Sequence, residues 1–471
     1  MVRKFALVVV GVLLLLGACG GGVTVVEEDF VWPGGENPFY EETLTIAVAA
    51  GISGTLRNFA RAYMSANPGV TVEIIDYSRN AEAVQRGREE VGIQLMAGTA
   101  PVLIDGMLVD YLTPGTRQLF ADWRPIMAAH PHFDQENYFY AVFDATAIDG
   151  RTYSFPLNAN MAFVFHNATV PEVVSAMAGR RGITIAEIME ISAGVGDGMG
   201  VDSNFSVLYA VLWQLYRFFD METGRVDFAT PEFIELITAA RAMTTPRNNF
   251  DWTWAGSGLD DWRRLAGQYH FRIDSALMRE VYGIFQNDFG FGGPVPLINE
   301  QGEIPVAATL GFVLNGGATY VQQALALDFM RFITEVPPLD PYADEQDPQV
   351  MHLRALFLQI DAGVPPVSRS HFALALAEQQ PFVIRNFWTT HGWRLINNWR
   401  LVEEGGLIAE HMTAAMTPHL EAPMTRGNSA PAVVTEAITE ILLQFHNGHI
   451  TAEAAANDLQ NRVTLIMLEA Q

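Results

Sequence analysis

The sequence predicts an α/β protein whose parallel sheets carry helices on their faces, divided into more than one lobe. Three observations predict this. A strand–helix–strand unit opens the folded region, and the pattern repeats downstream. The chain is also long, 471 residues with 49% hydrophobic residues, enough for two or three cores at roughly 100–200 residues each.

Leu44-Thr45-Ile46-Ala47-Val48 alternates as a strand does and runs into the turn Gly51-Ile52-Ser53-Gly54. Leu56, Phe59, Ala60, Tyr63 and Met64 then fall on one face of a helix. Asn67-Pro68-Gly69 stops that helix, because proline cannot continue it and glycine permits a left-handed turn. Val70 to Ile75 is the second strand, and a strand–helix–strand unit of this length implies parallel pairing. A helical stretch from Arg86 to Met96 leads to the apolar run Val102-Leu103-Ile104, which ends at Asp105. Gly150 to Pro156 reads as a turn feeding an extended segment, and Met161 to Phe165 as another strand.

Asn204 to Arg247 is helical and aromatic-rich, with Pro231 at a helix start and Trp213 among core residues. Gly290 to Pro305 is rich in Gly and Pro and is expected as loop or sheet edge. Leu310 to Leu314 is strand-like, and Val321, Leu325, Phe329 and Phe332 share a helical face. Two closing helices carry Ile438, Ile441, Leu442 and Phe445, then Leu459, Val463, Ile466 and Met467. Gly448 separates them and Thr451 caps the second.

Composition narrows the function. The formal net charge is −25, with one cysteine, Cys19, and one lysine, Lys4. A disulfide scaffold or a cysteine-ligated metal centre needs more cysteines than this. A chain so acidic is repelled by phosphate backbones, which argues against nucleic acid as a partner. His446 and His449 sit three apart without acids at metal-ligand spacing, so no metal is expected, and no cofactor pattern is present.

Arg3 and Lys4 precede an apolar run from Phe5 to Leu16. As a helix that run rises about 18 Å, short of the roughly 30 Å hydrocarbon core, so it fits a signal segment better than a membrane span. Leu16-Gly17-Ala18-Cys19 resembles the bacterial lipoprotein lipobox. The resemblance implies cleavage after residue 18, a diacylglycerol on the Cys19 thiol, and a lipidated tether over 19–42. Removing Arg3 and Lys4, and no acids, takes the charge from −25 to −27. The expected location is extracytoplasmic, lipid-anchored to the cell membrane through Cys19.

Further segments, in order, resemble the family 1 extracellular solute-binding proteins of bacterial ABC importers, the group of maltose- and oligosaccharide-binding lipoproteins. They begin with Phe59-Ala60-Arg61-Ala62-Tyr63 ahead of Asn67-Pro68-Gly69-Val70-Thr71-Val72-Glu73. Leu95 to Val102 follows, with Val102 where the family usually has Asp, then Leu119-Phe120-Ala121-Asp122-Trp123. Asp149-Gly150-Arg151-Thr152-Tyr153-Ser154-Phe155-Pro156 and Val164-Phe165-His166-Asn167 are similar to its next two motifs. Gly224 to Glu232, Ala324 to Ile333 and Thr451 to Ala455 complete the series. Phe271 to Met278 departs from the family pattern, and Val336 to Gln349 looks inserted.

The resemblance implies a two-lobe, type II periplasmic-binding-protein fold, each lobe a mainly parallel sheet flanked by helices. Lobe 1 is expected over 43–156 and 308–340, and lobe 2 over 157–307 and 341–471. Crossover strands are expected at Leu157 to Asn160, near Val306 to Leu310 and near Val336 to Tyr342. Closure of the lobes would present a surface to the permease subunits of an ABC transporter, with the chain a monomer.

A sugar offers flat C–H faces and a rim of hydroxyls, so its site needs aromatic platforms and polar side chains. Trp252 and Trp254, with Asp260 nearby, supply both in a glycine-bearing segment, and Trp388 and Trp393 flank Gly392. Loops after the strands of an open α/β sheet are default ligand positions, which adds Gly51, Ser53, Asp105, Asn158 and Asn160. Asp105 is the strongest polar candidate, with helix N-cap its competing role.

The expected function is capture of a carbohydrate, a small-molecule solute, without catalysis. A secreted glycosidase using Asp260 and Asp261, or an adhesin lipoprotein using the same cleft, stands beside it. Peptide, polyamine or polyol ligands also stay open, since a fold does not fix its ligand.

Overall fold

The structure is a computed structural model that describes residues 30–34, 38–195, 199–201, 207–243, 269–274, 291–307, 310–335, 366–372, 417–427 and 430–469. Within them β1 (Thr43–Val48), α1 (Ser53–Ala66) and β2 (Thr71–Asp76) form the opening unit, the two strands parallel from Thr43↔Thr71 to Val48↔Asp76. α1 buries Leu56, Phe59, Ala60 and Tyr63, as its apolar spacing requires. Its exit passes through Gly69 at φ +96°, and a Cβ there would stand 2.6 Å from the Tyr40 ring, so conformation and space both demand glycine.

α2 (Ala81–Ala97) starts where the Asn80 side chain accepts the Ala83 amide hydrogen at 2.8 Å, and ends at left-handed Gly98. β3 (Leu103–Asp105), parallel to β1, follows. Next come α3 (Trp123–Ala129), α4 (Tyr140–Thr146), β4 (Ser154–Pro156), β5 (Asn160–Met161) and β6 (Phe163–Asn167). α5 (Pro171–Met177) and α6 (Ile185–Gly194) pack beyond β6, α6 opening on a reciprocal Thr184–Glu187 capping box.

The expected helical stretch from Asn204 is interrupted. β7 (Met199–Val201) and α7 (Val207–Trp213) precede a short hairpin, β8 (Phe219–Asp220) with β9 (Arg225–Val226), before α8 (Pro231–Met243). Asp220 makes the turn by accepting amide hydrogens from Glu222 and Thr223, a local competitor with helix. Then follow β10 (Tyr269–Asp274), β11 (Phe291–Pro296), β12 (Ile304–Ala307), β13 (Gly311–Leu314), α9 (Tyr320–Thr334), β14 (Met424–Arg426), α10 (Ala432–His446) and α11 (Ala452–Glu469). β11 takes the edge of its sheet with an irregularity between Gly292 and Val295, as its Gly and Pro content dictates.

Among the described residues the strands make two main sheets, a small third one and the two-stranded β8–β9 hairpin. The first has order β2-β1-β3-β13-β4 and the second β11-β6-β10-β7. Both are mixed. β13 returns to the first sheet antiparallel to β3 and β4, and β6 lies antiparallel to both β10 and β11. The third sheet, β14-β12-β5, holds the connections between the other two. Asn160 pairs there with Ala307, within the first two expected crossover regions, and Met161, one residue past the first, pairs with Val306. Val336 to Tyr342, where a third was expected, lies outside the described residues. A passage between the cores also occurs at β14, parallel to β12.

Each main sheet has its own core. The first gathers Leu44, Ile46, Phe59, Trp123, Phe155 and Phe312, with the Trp123 indole N–H donating to the Phe312 carbonyl at 3.1 Å. The second gathers Val164, Ile188, Val211, Phe233, Ile438 and Leu459, and Trp213 is buried in it. Val367, Phe372 and Leu420, inside the 341–471 stretch expected in lobe 2, pack with the first core. The reason is backbone pairing: Phe139 donates to the Val367 carbonyl at 2.9 Å.

The stretch read as tether is packed at its distal end. Phe30 meets the Tyr320 ring edge-on at 5.5 Å, and Trp32 meets buried His130 at 4.1 Å and Phe39 at 6.1 Å. Among the described residues no helix is long and apolar enough to cross a membrane.

Candidate functional site: an interlobe cleft

Parallel strands β1 and β3 end side by side, so their following loops stand together at the edge where the crossovers leave the first sheet. Asp105 closes β3. The residue is 1% exposed. Oδ2 accepts the amide hydrogens of Ala49 at 2.9 Å and Ala50 at 2.7 Å, and Oδ1 that of Met107 at 3.0 Å. Three charge-assisted bonds therefore fix the loop after β1 to the turn after β3. The structure thus places Asp105 as an organiser of the loops, capping the turn Gly106–Leu108.

Gly51 is exposed on the organised loop, with open space where a Cβ would stand. Ser53 is buried at the start of α1, its Oγ 3.3 Å from the Ser78 hydroxyl. That hydroxyl lies 2.6 Å from Asp76 Oδ1, and Arg57 donates to Asp76 Oδ2 at 2.8 Å. Burial works against the Asp76 charge, but the bonds from Ser78, Ser53 and Arg57 outweigh it and hold the carboxyl below the usual carboxylate range.

Asn158 and Asn160 sit on the first crossover. Asn158 is buried, and its Oδ1 accepts the Leu310 amide hydrogen at 3.2 Å, tying the two crossings together. Asn160 differs, since its Oδ1 is buried without a hydrogen-bond partner. An orphaned acceptor of this kind costs roughly 1–3 kcal/mol unless something else satisfies it. Pairing with Ala307 places the two residues on one face of the crossover sheet.

Ala307 lines a cleft of about 790 Å³. One wall is lobe 1: Arg88 and Leu95 of α2, the turn from Gly106 to Leu112, and Phe120. The other is lobe 2, where Pro431, Val433 and Glu436 open α10. Tyr111 stands in the cleft, and burial pushes its phenol pKa up. Room for its ring is kept by Gly106, where a Cβ would meet both that ring and the Gly311 carbonyl at 3.4 Å. Arg88 donates to the Met107 carbonyl at 2.9 Å, holding the turn against α2. Met107 and Val433 are 45% and 49% exposed, so both walls offer apolar surface. The arrangement is a binding surface of one phenol, polar loops and aliphatic walls.

A smaller cleft of about 380 Å³ lies between α4 and the β8–β9 hairpin. Arg426 of β14 crosses beside it. One of its terminal nitrogens donates to the Ala147 carbonyl after α4, and the other to Glu222 Oε1 at 3.0 Å on the hairpin. Arg426 is thus a link between the lobes.

Sequence reasoning missed Tyr111, Glu436 and Arg426. Tyr111 follows Asp105 closely enough that the loop was in view, though the ring was not. Arg426 belongs to a three-residue strand whose partner β12 is more than a hundred residues away, which no local pattern reveals. Trp252, Trp254, Asp260, Trp388, Trp393 and Cys19 lie outside the described residues.

No protein-family profile matches the chain, and no curated protein matches it in sequence. Solved structures do match. The sugar-binding protein MalE from the phytopathogen Xanthomonas citri superposes with a TM-score of 0.55 at 13% identity, covering 91% of this chain and 98% of that one. A family 1 extracellular solute-binding protein from Alicyclobacillus acidocaldarius gives 0.53 at 12% identity, over 91% and 99%. An ABC substrate-binding protein from Listeria monocytogenes, in complex with cycloalternan, gives 0.50 at 14%, over 90% and 98%. The chain has the α/β, two-lobed fold of type II periplasmic-binding proteins.

Proposed function

We propose that this chain is a non-enzymatic, family 1 extracellular solute-binding protein that captures a carbohydrate between its lobes. The observation that carries the reading is the cleft itself. Its volume falls within the range of small-molecule sites. It is bounded by loops of one lobe and a helix of the other, and it sits against strands about which the lobes can hinge. Tyr111 and the aliphatic walls suit the C–H faces of a sugar, and the orphaned acceptor of Asn160 suits a hydroxyl. Gly51 and Ser53 border the same loops. The tryptophans 252, 254, 388 and 393 and Asp260 are proposed to complete the aromatic and polar lining.

The solute would pass to the permease subunits of an ABC importer when the lobes close, the binding protein acting as a monomer. Diacylglycerol on Cys19 would hold it extracytoplasmically at the cell membrane. The structural relatives bear names of binding proteins, which supports binding rather than hydrolysis as the role.

A thermal-shift screen of the mature chain against mono- and oligosaccharides tests the reading. Stabilisation by at least one sugar, with no hydrolysis product on prolonged incubation, is the expected result. Product release would turn the reading to a glycosidase, and silence across the panel to another class of solute.

A further inference from the structure

The charges that line the cleft are unevenly partnered. Among the described residues they are Arg88 and Asp110 on the lobe 1 wall and Glu436 on the lobe 2 wall. Asp110 is engaged in its own turn. Its Oδ1 accepts the amide hydrogens of Leu112 at 3.1 Å and Thr113 at 3.2 Å, and its Oδ2 accepts the Thr113 hydroxyl hydrogen. Arg88 uses only Nε, on the Met107 carbonyl, and its two terminal nitrogens meet no described acceptor. Glu436 is exposed, with no described hydrogen-bond or ion-pair partner.

The charges next to these two are all engaged. Beside Arg88 on α2, Glu89 accepts a hydrogen bond from Gln85 at 3.3 Å, and Glu90 accepts the Tyr77 hydroxyl hydrogen at 2.8 Å. One turn beyond Glu436 on α10, Glu440 pairs with Arg462 at 2.6 Å. One cation and one anion are thus left over, on opposite walls of one cleft. Each stands beside apolar surface of its own wall. Arg88 is tied to exposed Met107, and Glu436 follows exposed Val433 by three residues, on the same face of α10. A movement that brings Met107 and Val433 together carries the guanidinium toward the carboxylate and drives water from around both. Far apart in water such charges interact weakly; close together, with water leaving, they attract more strongly.

We propose that Arg88 and Glu436 form an ion pair across the cleft when the lobes close, latching the closed state over the solute. This latch presupposes the proposed function of the cleft as a closing solute site. Stabilising the closed form raises solute affinity in proportion to the shift in population. Exposed Glu436 keeps the pair partly solvated and therefore weak, which leaves the lobes free to reopen when the solute is handed on.

The test uses the mature chain. Cys19, the only native cysteine, is replaced by Cys19→Ser, and spin labels go on exposed Ile93→Cys of α2 and exposed Asn447→Cys at the end of α10. Interlobe distances are recorded without solute, and affinity is titrated with the most stabilising sugar of the screen. At roughly 10 mM salt the short-distance fraction should be at least about twofold greater in the otherwise native chain than in Glu436→Gln, a substitution that breaks no described bond. At roughly 1 M salt, where charges are screened within about 3 Å, the excess should vanish. Sugar affinity should fall about two- to fivefold in Glu436→Gln. It should fall further in Glu436→Arg, which sets like charges face to face. The exchanged pair Arg88→Glu/Glu436→Arg should recover most of that loss, which two independent contacts with the solute would not do. Equal short-distance fractions in the native chain and Glu436→Gln at low salt, or an exchanged pair no better than Glu436→Arg alone, overturns the latch while a binding sugar leaves the function standing. If no sugar of the panel binds, the carbohydrate reading falls and the distances alone decide the latch.

Discussion

Asp105 accepts the backbone amide hydrogen of Ala50 at 2.7 Å, joining the end of one parallel strand to the loop that follows its neighbour. Truncation to Asp105→Ala would orphan three amide donors in a buried place. We expect a loss of about 2–3 kcal/mol, read as a clear fall in Tm. Asp105→Asn, which keeps one acceptor oxygen, should lose less.

Two glycines on the same edge of lobe 1 separate stability from binding. At Gly311 a Cβ would stand 2.6 Å from Ser154 Oγ and 3.1 Å from the Phe155 carbonyl, both packed in place. Gly311→Ala should therefore cost about 1–3 kcal/mol. At Gly51 a Cβ meets nothing within 4 Å and the backbone is not left-handed. Gly51→Ala should leave Tm within about a degree while weakening sugar binding if the ligand approaches that loop. Calorimetry on both variants reads the two effects.

Arg426 joins Ala147 to Glu222 across the lobes. Arg426→Ala removes both bonds from one side chain, and Glu222→Gln weakens only the second. We expect the first to broaden the interlobe distance distribution measured by paired spin labels, and the second to do so less. A distribution unchanged by Arg426→Ala would show that the crossover strands alone set the opening.

Stability should fall in acid with a traceable contribution from Asp328. Its Oδ2 accepts the Tyr63 hydroxyl hydrogen at 2.7 Å. Burial opposes its charge, but bonds from His130 and Tyr63 and the nearby Arg331 outweigh this and hold the carboxyl below its ordinary range. A carboxyl with a depressed folded pKa adds stability that is full above the unfolded value, about 3.9, and lost as pH falls through the folded one. Asp328→Asn should be less stable at neutral pH yet show a shallower decline of Tm below pH 4.

Much of this arrangement was legible in the sequence, and the exceptions have a common cause. β1, α1 and β2 are written in local periodicity and in one Asn-Pro-Gly stop, and the structure follows them within a residue or two at most ends. Position after a strand pointed to Asp105, but whether its carboxylate faced a ligand or the backbone depended on the Ala49–Ala50 loop, 55 residues away. Hydrophobic pattern alone predicts helix across the β8–β9 hairpin, because Asp220 makes its turn with a side chain whose effect no such pattern carries. Tyr111, Asn160 and Arg426 acquire their settings only through pairing of distant strands. The sheets are mixed for the same reason: β13 returns from the other lobe, a matter of topology rather than of local pattern.

The central claim is that a carbohydrate binds between the lobes. Isothermal titration of the mature chain with the best sugar from the screen, beside Tyr111→Ala and Asn160→Ala, tests it most directly. Binding by the unaltered chain, weakened about tenfold or more in Tyr111→Ala and measurably in Asn160→Ala, is the predicted result, at roughly 1.4 kcal/mol per tenfold. No heat from any sugar, or equal affinity in all three proteins, would contradict it.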